Sequence, residues 1–288
     1  KSRGGGPIPP IQAIETYSAD GVRYWAASTG FGKDAIIDEE KMQNGQRLVT
    51  KLWNVARFSA RFLEAYTPTA DLPDLTPADR WLLARLHELI QRVTQAFEAY
   101  EYAAAKSEVE NFFWKDLADN YLEMAKQRLY NPAHPQYTAA RYTLYHTLLG
   151  TLKLFAPFLP FVTEELYLNL FAETDGAPSI HTSHWPQATP TWDDENAIEL
   201  GAQLVEIATA VRRYKSENSL SLGTEIHRLQ LALGDAQLAA GFEAASGDLM
   251  SVTCCLTVEV GPALDEKLIA VPVNDTVRAA IELAPAGE

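Results

Sequence analysis

The sequence contains few cysteines, no long apolar run and no excess of positive charge, and each shortage excludes a class of protein. Its two cysteines, Cys254 and Cys255, are adjacent, so they provide neither a disulfide framework nor the spaced thiolate pairs of a zinc site. No stretch reaches the roughly 18 apolar residues that a membrane helix needs, so we expect no membrane partner. The net charge of −14 argues against a general nucleic-acid binder, and we expect no DNA partner.

The charge is spread unevenly over the 288 residues, which are enough for two domains with their own cores. Residues 1–66 carry nine Lys/Arg against seven Asp/Glu, whereas residues 193–288 carry six against sixteen. A polyanion should therefore bind near the first long helix and not near the C-terminal third. The cysteine usage fits a reducing cytoplasm.

Helical periodicity dominates up to about residue 171. Two short helical pieces are predicted at 11–18 and 20–27, and four long amphipathic stretches follow at 38–66, 76–100, 102–130 and 136–171. Thr76 should cap the second long helix, and Pro157 and Pro160 should bend or break the fourth. Short connections between long amphipathic segments predict an antiparallel helix bundle.

The pattern changes after residue 172. One more helix is predicted at 195–216, followed by strands at 226–233, 252–260 and 268–273 and by helices at 235–245 and 275–283. This pattern predicts a small α+β domain with one short antiparallel sheet. The predicted fold is therefore mainly α, and the predicted domains are residues 1–35, 36–190 and 191–288.

Several residues could carry binding chemistry. His181 and His184 lie three residues apart on an irregular link without nearby cysteines, so we expect no metal site there. Arg212, Arg213 and Lys215 form the only basic cluster of the acidic third, and they either contact a phosphate backbone or lie in solvent.

The stretch TKLWNVARF at residues 50–58 is more informative. On a helix, Lys51, Asn54 and Phe58 share a face. A ring that stacks on a base, an amide that reads its edge and a cation that meets phosphate are what single-stranded RNA recognition requires. On spacing alone, the favoured interpretation is an ordinary helix, because helices often carry such residues without a binding role.

Lys1 to Gly6 pose a separate question, because basic residues followed by glycines suit a loop that cradles phosphate. Such a loop normally lies between two structural elements. The segment is therefore either a flexible end or part of a site whose other half lies elsewhere.

Five stretches, taken in order, resemble the C-terminal part of class I valyl-tRNA synthetases. They are KSRGG…YSADGVRYWAAS, K-x-W-N-x-x-R-F, FFWKDLADNYLEMAKQRLY, APFLPFVTEELY and SIHTSHWP. The ordered set is specific, although no single piece decides. The resemblance implies that residues 36–190 are an anticodon-binding domain and that Lys51, Asn54, Arg57 and Phe58 contact the anticodon loop.

The same resemblance implies that residues 1–35 hold the end of the K-M-S-K-S loop and the stem-contact region. Lys1, as a remnant of the catalytic loop, and Ser2 would then belong to the ATP-phosphate site. The parent enzyme would join valine to its tRNA with ATP and Mg. We expect this chain alone to hold no cofactor and to be inactive, and we expect its partners to be tRNA and the catalytic and editing domains of the same polypeptide, in a monomer.

Two alternatives stay open. The equivalent segment of an isoleucyl-tRNA synthetase would have the same architecture, and tRNAs with valine and isoleucine anticodons would separate the two. The net charge of −14 also fits a helical protein-interaction module that does not bind RNA, in which case binding to any tRNA would be absent at low salt.

Overall fold

The computed structural model describes residues 8–30, 32–34, 36–69 and 71–283. Its α-helices are α1 Pro10–Ala27, α2 Glu39–Leu63, α3 Pro77–Glu98, α4 Tyr102–Asn111, α5 Leu122–Tyr130, α6 Tyr137–Phe155, α7 Pro160–Leu170, α8 Ala172–Asp175, α9 Glu195–Glu217, α10 Ala236–Ala244 and α11 Ser246–Thr253. The strands are β1 Ile226–Ala232, β2 Cys255–Gly261, β3 Ile269–Val271 and β4 Arg278–Leu283. The prediction of a mainly helical chain with a small sheet is confirmed.

The chain divides into two compact units that each draw on several stretches of sequence. The first unit is Lys1–Ala70, Leu86–Trp114 and Leu144–Pro190, and the second is Asp71–Arg85, Lys115–Thr143 and Thr191–Glu288. Both α3 and α6 contribute residues to each unit. Residues 1–35, 36–190 and 191–288 remain the domains predicted from the sequence.

In the first unit, α1 is two helical pieces, as predicted. Ser18 interrupts it with a φ of 68° and a ψ of 161°, outside the helical region. Just after this break, the Asp20 carboxylate accepts hydrogen bonds from the backbone N–H groups of Phe161 and Val162, at 3.2 and 2.8 Å. These N–H groups lie in the first turn of α7, where a helix has no partners of its own for them. Asp20 therefore caps α7 from a distant part of the chain.

Tyr24 fixes α1 against α2 in the same unit. A Cβ atom at Gly45 of α2 would lie 2.7 Å from the Tyr24 Cβ, so only glycine allows this approach. The Tyr24 hydroxyl donates to the Glu110 carboxylate at 2.8 Å, and the Lys106 ammonium lies 3.6 Å from the centroid of the Tyr24 ring. The buried Lys106 is also paired with Glu110 at 3.1 Å, so this charge is both hydrogen-bonded and neutralised.

In the second unit, the start of α3 has the predicted cap. The backbone N–H of Asp79 donates to the Thr76 hydroxyl oxygen, and the Asp79 carboxylate accepts from the backbone N–H of Thr76 in return. This reciprocal arrangement satisfies N–H groups that the first helical turn leaves without partners.

Asp79 is also part of a buried ionic cluster. The Arg128 guanidinium donates two hydrogen bonds to Asp79, at 2.8 and 3.1 Å, and a third to Asp248 at 2.9 Å. The Tyr121 hydroxyl donates to Asp79 at 2.7 Å. All four side chains are buried, and the cluster joins α3, α5 and α11.

The stretch 102–130 is helical throughout, as predicted, but its middle is not an α-helix. Residues Phe112–Tyr121 form a π-helix between α4 and α5. The Asn120 side chain donates to the carbonyl of Lys115, five residues earlier, at 2.8 Å. The predicted break at the prolines is confirmed, because α6 ends at Phe155 and α7 begins at Pro160.

The sheet corrects three predictions. Its order is β2-β1-β4-β3, and although β4 pairs antiparallel with β1 and β3, β1 and β2 are parallel. A parallel pair is possible because α10 and α11 return the chain to the starting end of the sheet between these strands. Residues 278–283 form a strand where a helix was predicted. Val252 and Thr253 belong to α11, so β2 begins later than expected.

No helix within the described ranges has the length and apolar character needed to cross a membrane.

The ionic cluster predicts how stability depends on pH. Burial raises the pKa of Asp248 to about 6, helped by the charge of Asp79 and opposed by Arg128. Because the folded pKa lies above the ordinary value of 3.8, the stability that this proton contributes is present below about pH 4 and is lost as the pH rises through 6. We expect a loss on the order of 3 kcal/mol across this interval. Urea denaturation between pH 4 and 7 measures it.

Asp248→Asn is the matched control, because the amide keeps the shape of the side chain and does not titrate. The difference in unfolding free energy between the unaltered chain and this variant should change across the interval. Two parallel curves would show that Asp248 does not titrate there.

Candidate nucleic-acid interface

Helix α2 carries a concentrated positive charge. Residues 41–63 contain five Lys/Arg and no Asp/Glu, in a chain whose net charge is −14. The helix buries an apolar side that includes Leu48, Leu52, Val55 and Phe62. Because these residues recur at helical spacing, the polar residues between them face outwards.

One strip of α2 combines the residue types that bind RNA. At spacings of three and four residues it contains Arg47, Lys51, Asn54, Phe58 and Arg61, and we call these five residues the basic stripe. Arg47, Asn54 and Arg61 are exposed, and Lys51 and Phe58 are half-buried. Arg57 is exposed beside the stripe. The helix thus brings together all four predicted residues of this site, Lys51, Asn54, Arg57 and Phe58.

The Phe58 ring is half-buried and contacts two neighbours on α2. It packs edge-on against Phe62, with the ring centroids 5.1 Å apart and the planes at 70°. The Arg61 guanidinium lies 5.1 Å from the Phe58 centroid, within the range of a cation–π contact. A ring anchored in this way can stack on a base without a large loss of side-chain freedom.

Trp114 is a neighbour of the stripe that the sequence did not indicate. The Lys51 ammonium lies 4.9 Å from the centroid of the Trp114 ring. The two residues are far apart in sequence, and only the packing of the π-helix near α2 brings them together. The aromatic run of Phe112, Phe113 and Trp114 was visible, but it is equally typical of a core segment.

Arg212, Arg213 and Lys215, the second predicted cluster, differ in burial and do not form a single exposed surface. Lys215 is only 1% exposed, and its ammonium donates to the carbonyls of Leu222, Thr224 and Thr253 at 2.9, 2.6 and 2.8 Å. All three of its donors are thus used inside the protein, and the prediction that Lys215 contacts phosphate is wrong.

The two arginines of this cluster differ from each other. Arg212 is half-buried and donates to the Asn120 side chain and to the carbonyl of Asp119, at 2.9 and 2.8 Å. Arg213 is exposed, with one hydrogen bond to the carbonyl of Pro272. Of the three cations, Arg213 is the one that the structure leaves open to solvent.

The remaining predicted positions are the N-terminal residues and the histidines. Lys1 and Ser2 lie outside the described residues. His181 makes a hydrogen bond with the carbonyl of Pro160 at 3.1 Å. No group of three or more His, Cys, Asp or Glu side chains in the described part of the chain is arranged to hold a metal ion.

A comparison with protein families identifies the fold. Residues 79–231, more than half of the chain, match the family described as the anticodon-binding domain of tRNA ligase. The chain belongs to this family. The match begins in α3 and ends in β1, so this member of the anticodon-binding family has α1 and α2 before the matched stretch.

Curated relatives extend the similarity to almost the whole chain. The chain is 42% identical over 280 residues to the valine–tRNA ligase of Methanopyrus kandleri, 35% identical over 271 residues to that of Thermococcus kodakarensis and 36% identical over 277 residues to that of Anaplasma marginale. These alignments cover 95%, 94% and 95% of this chain but 30%, 30% and 32% of the relatives. The chain therefore spans about a third of the length of the ligases that it matches, and the alignments are long enough to include α2.

A solved structure supports the fold alone. The agnB2 LeuRS of Agrobacterium radiobacter K84, crystallised in a ternary complex with tRNA and LeuAMS, superposes with a TM-score of 0.50 at 19% identity. The match covers 65% of this chain and 22% of that one.

The burial of Lys215 predicts a stability effect. Lys215→Met removes three hydrogen bonds and leaves buried carbonyl groups without a donor, so we expect a loss of roughly 2–4 kcal/mol in the free energy of unfolding. Urea denaturation measures this loss.

The exposed Arg213 provides the control, because Arg213→Met should cost less than about 1 kcal/mol. Equal stability of the two variants would mean that the Lys215 hydrogen bonds contribute nothing to the fold.

Proposed function

We propose that the chain is the tRNA-recognition segment of a valine–tRNA ligase and that α2 binds the anticodon loop through the basic stripe and Arg57. One observation carries the proposal: the exposed side of α2 gathers cations, an amide and an anchored aromatic ring, in a protein that is acidic elsewhere. The relatives named valine–tRNA ligase support both a tRNA ligand and the choice of amino acid.

Each residue type on this surface has a distinct role. The Phe58 ring offers a face on which an unstacked base of the loop can lie. Asn54 presents both a donor and an acceptor, so it can tell one base edge from another. Lys51, Arg57 and the flanking arginines attract the phosphates, which position the loop but carry no sequence information.

The rest of the proposed ligase lies beyond this surface. The ligase would attach valine to its tRNA with ATP and Mg, and Lys1 and Ser2 would contribute to the ATP-phosphate site. Arg213 is a further candidate for a contact with the tRNA backbone. We expect the ligase to act in the cytoplasm on tRNA, and the domains for catalysis and editing would belong to the same polypeptide.

Phe58→Ala tests the stacking role. Because a stacked aromatic ring is worth about 1–3 kcal/mol per base, the variant should bind a hairpin RNA with a valine anticodon about ten- to a hundredfold more weakly. Fluorescence titration measures the dissociation constant, and circular dichroism melting checks the fold.

Phe161→Ala is the matched control, since Phe161 is 64% exposed and lies on α7 and not on α2. Its affinity should not change. A Phe58→Ala variant that binds normally would remove the stacking role, and one that no longer melts cooperatively would make Phe58 a core residue.

Asn54→Ala tests base reading. Two hairpins are compared that differ in the third anticodon base, cytosine for valine and uracil for isoleucine. The unaltered chain should prefer the valine hairpin, and the variant should lose about 1–3 kcal/mol of discrimination at one anticodon base.

The salt dependence separates base reading from charge. Asn54→Ala should keep the slope of log K against log[salt], whereas Lys51→Met should reduce it by about 0.7, the value for one phosphate contact to a single strand. Preference for the isoleucine hairpin would point to the isoleucine enzyme, and no binding at low salt would contradict the RNA-binding role altogether.

A further inference from the structure

Trp114 lies at the point where the π-helix passes the basic stripe. Its ring packs edge-on against Phe113, with centroids 5.9 Å apart and planes at 62°. Phe113 is fully buried and contacts Phe155 of α6 at 6.1 Å. The indole of Trp114 is therefore anchored to the core on one side, and it is half-buried, so part of the ring remains accessible.

The π-helix sets the direction of this ring. In a π-helix the hydrogen bonds span five residues, so successive side chains turn through a smaller angle than in an α-helix. Over Phe112–Tyr121 this wider turn moves each side chain away from the direction that an uninterrupted α-helix would give it. Such segments are rare in proteins, and those that occur are often found at functional sites.

We propose that Trp114 is a positioning residue of the RNA-binding surface and holds the Lys51 ammonium where a phosphate of the anticodon loop binds. The inference rests on the proposed function of α2. It is carried by the cation–π geometry, with 4.9 Å between the Lys51 Nζ and the ring centroid, and by the anchoring of the ring on Phe113.

An aromatic ring suits this role. A lysine side chain has four rotatable bonds and loses much freedom when it is fixed on a phosphate. The face of an indole attracts the ammonium and restricts it, yet it carries no net charge. Trp114 can thus orient Lys51 before the RNA arrives without cancelling the charge that attracts the phosphate.

A double-mutant cycle tests the coupling between the two residues. Trp114→Leu, Lys51→Met and the double variant of the 288-residue chain are titrated with the hairpin RNA that carries a valine anticodon. Trp114→Leu should weaken binding about two- to fivefold, the size of an exposed cation–π contact. In the Lys51→Met background the same change should have almost no further effect.

Two further variants separate positioning from packing. Trp114→Phe keeps an aromatic face and should retain most of the affinity. Trp53→Leu makes the same chemical change as Trp114→Leu on α2, at a residue that is 42% exposed and outside the stripe, and it should leave binding unchanged.

The salt slope gives a readout that a merely structural role would not move. Trp114→Leu should shift the slope towards the value of Lys51→Met, because a poorly placed ammonium releases fewer counterions. Additive effects of the two substitutions, or a lower melting temperature with an unchanged slope, would overturn the proposal.

The same data distinguish failure of this inference from failure of the proposed function. If Lys51→Met leaves the affinity and the slope unchanged, α2 is not the RNA-binding surface, and both proposals are wrong. If Lys51→Met weakens binding and Trp114→Leu does not, α2 binds RNA without help from Trp114.

Discussion

The contact of Arg128 with two aspartates is the constraint on which the second unit depends. Arg128 is 4% exposed, so its charge must be paired and its donors hydrogen-bonded. Asp79 pairs with it at 2.8 Å, and both Asp79 and Asp248 accept its hydrogen bonds. Removal of one partner from such a buried cluster typically lowers the stability by about 3–5 kcal/mol, because the remaining charge is left buried without a partner or water. The geometry therefore fixes the relative positions of α3, α5 and α11. Since Asp79 also caps α3, the beginning of that helix and the core of the unit are specified by one carboxylate.

The first unit also contains a buried charge, which is stabilised by an aromatic ring and a carboxylate. Lys106 lies against the Tyr24 ring and pairs with Glu110, and Gly45 lets that ring approach α2. Because of this packing, one side of α2 is buried in the core and its cationic side faces outwards. Buried charges thus hold the helices in place, whereas the proposed function assigns the charges on the outer side of α2 to RNA. The net charge of the chain does not reveal this division of roles, because it adds the buried and the exposed charges together.

Much of this could be predicted because it depends on neighbours in sequence. The cap at Thr76 is a local pattern, and the grouping of Lys51, Asn54 and Phe58 follows from helical spacing alone. Residues 278–283 were misassigned because a short apolar run fits a helix and a buried strand equally well, and β4 lies in the middle of the sheet. The burial of Lys215 and the position of Trp114 depend on contacts between distant segments. No periodicity within either segment could reveal them.

The strand order has a consequence for how the protein is made. In the sheet, β4 lies between β1 and β3, although it is the last of the four in the chain. On the ribosome, β1 emerges first and can pair with β2 on one edge, but its other edge must wait for residues 278–283. At about 5–20 residues per second, synthesis of the intervening chain takes several seconds. During that time β1 presents unpaired backbone groups, the kind of edge on which nascent chains associate wrongly. Folding of the sheet is thus tied to the progress of translation.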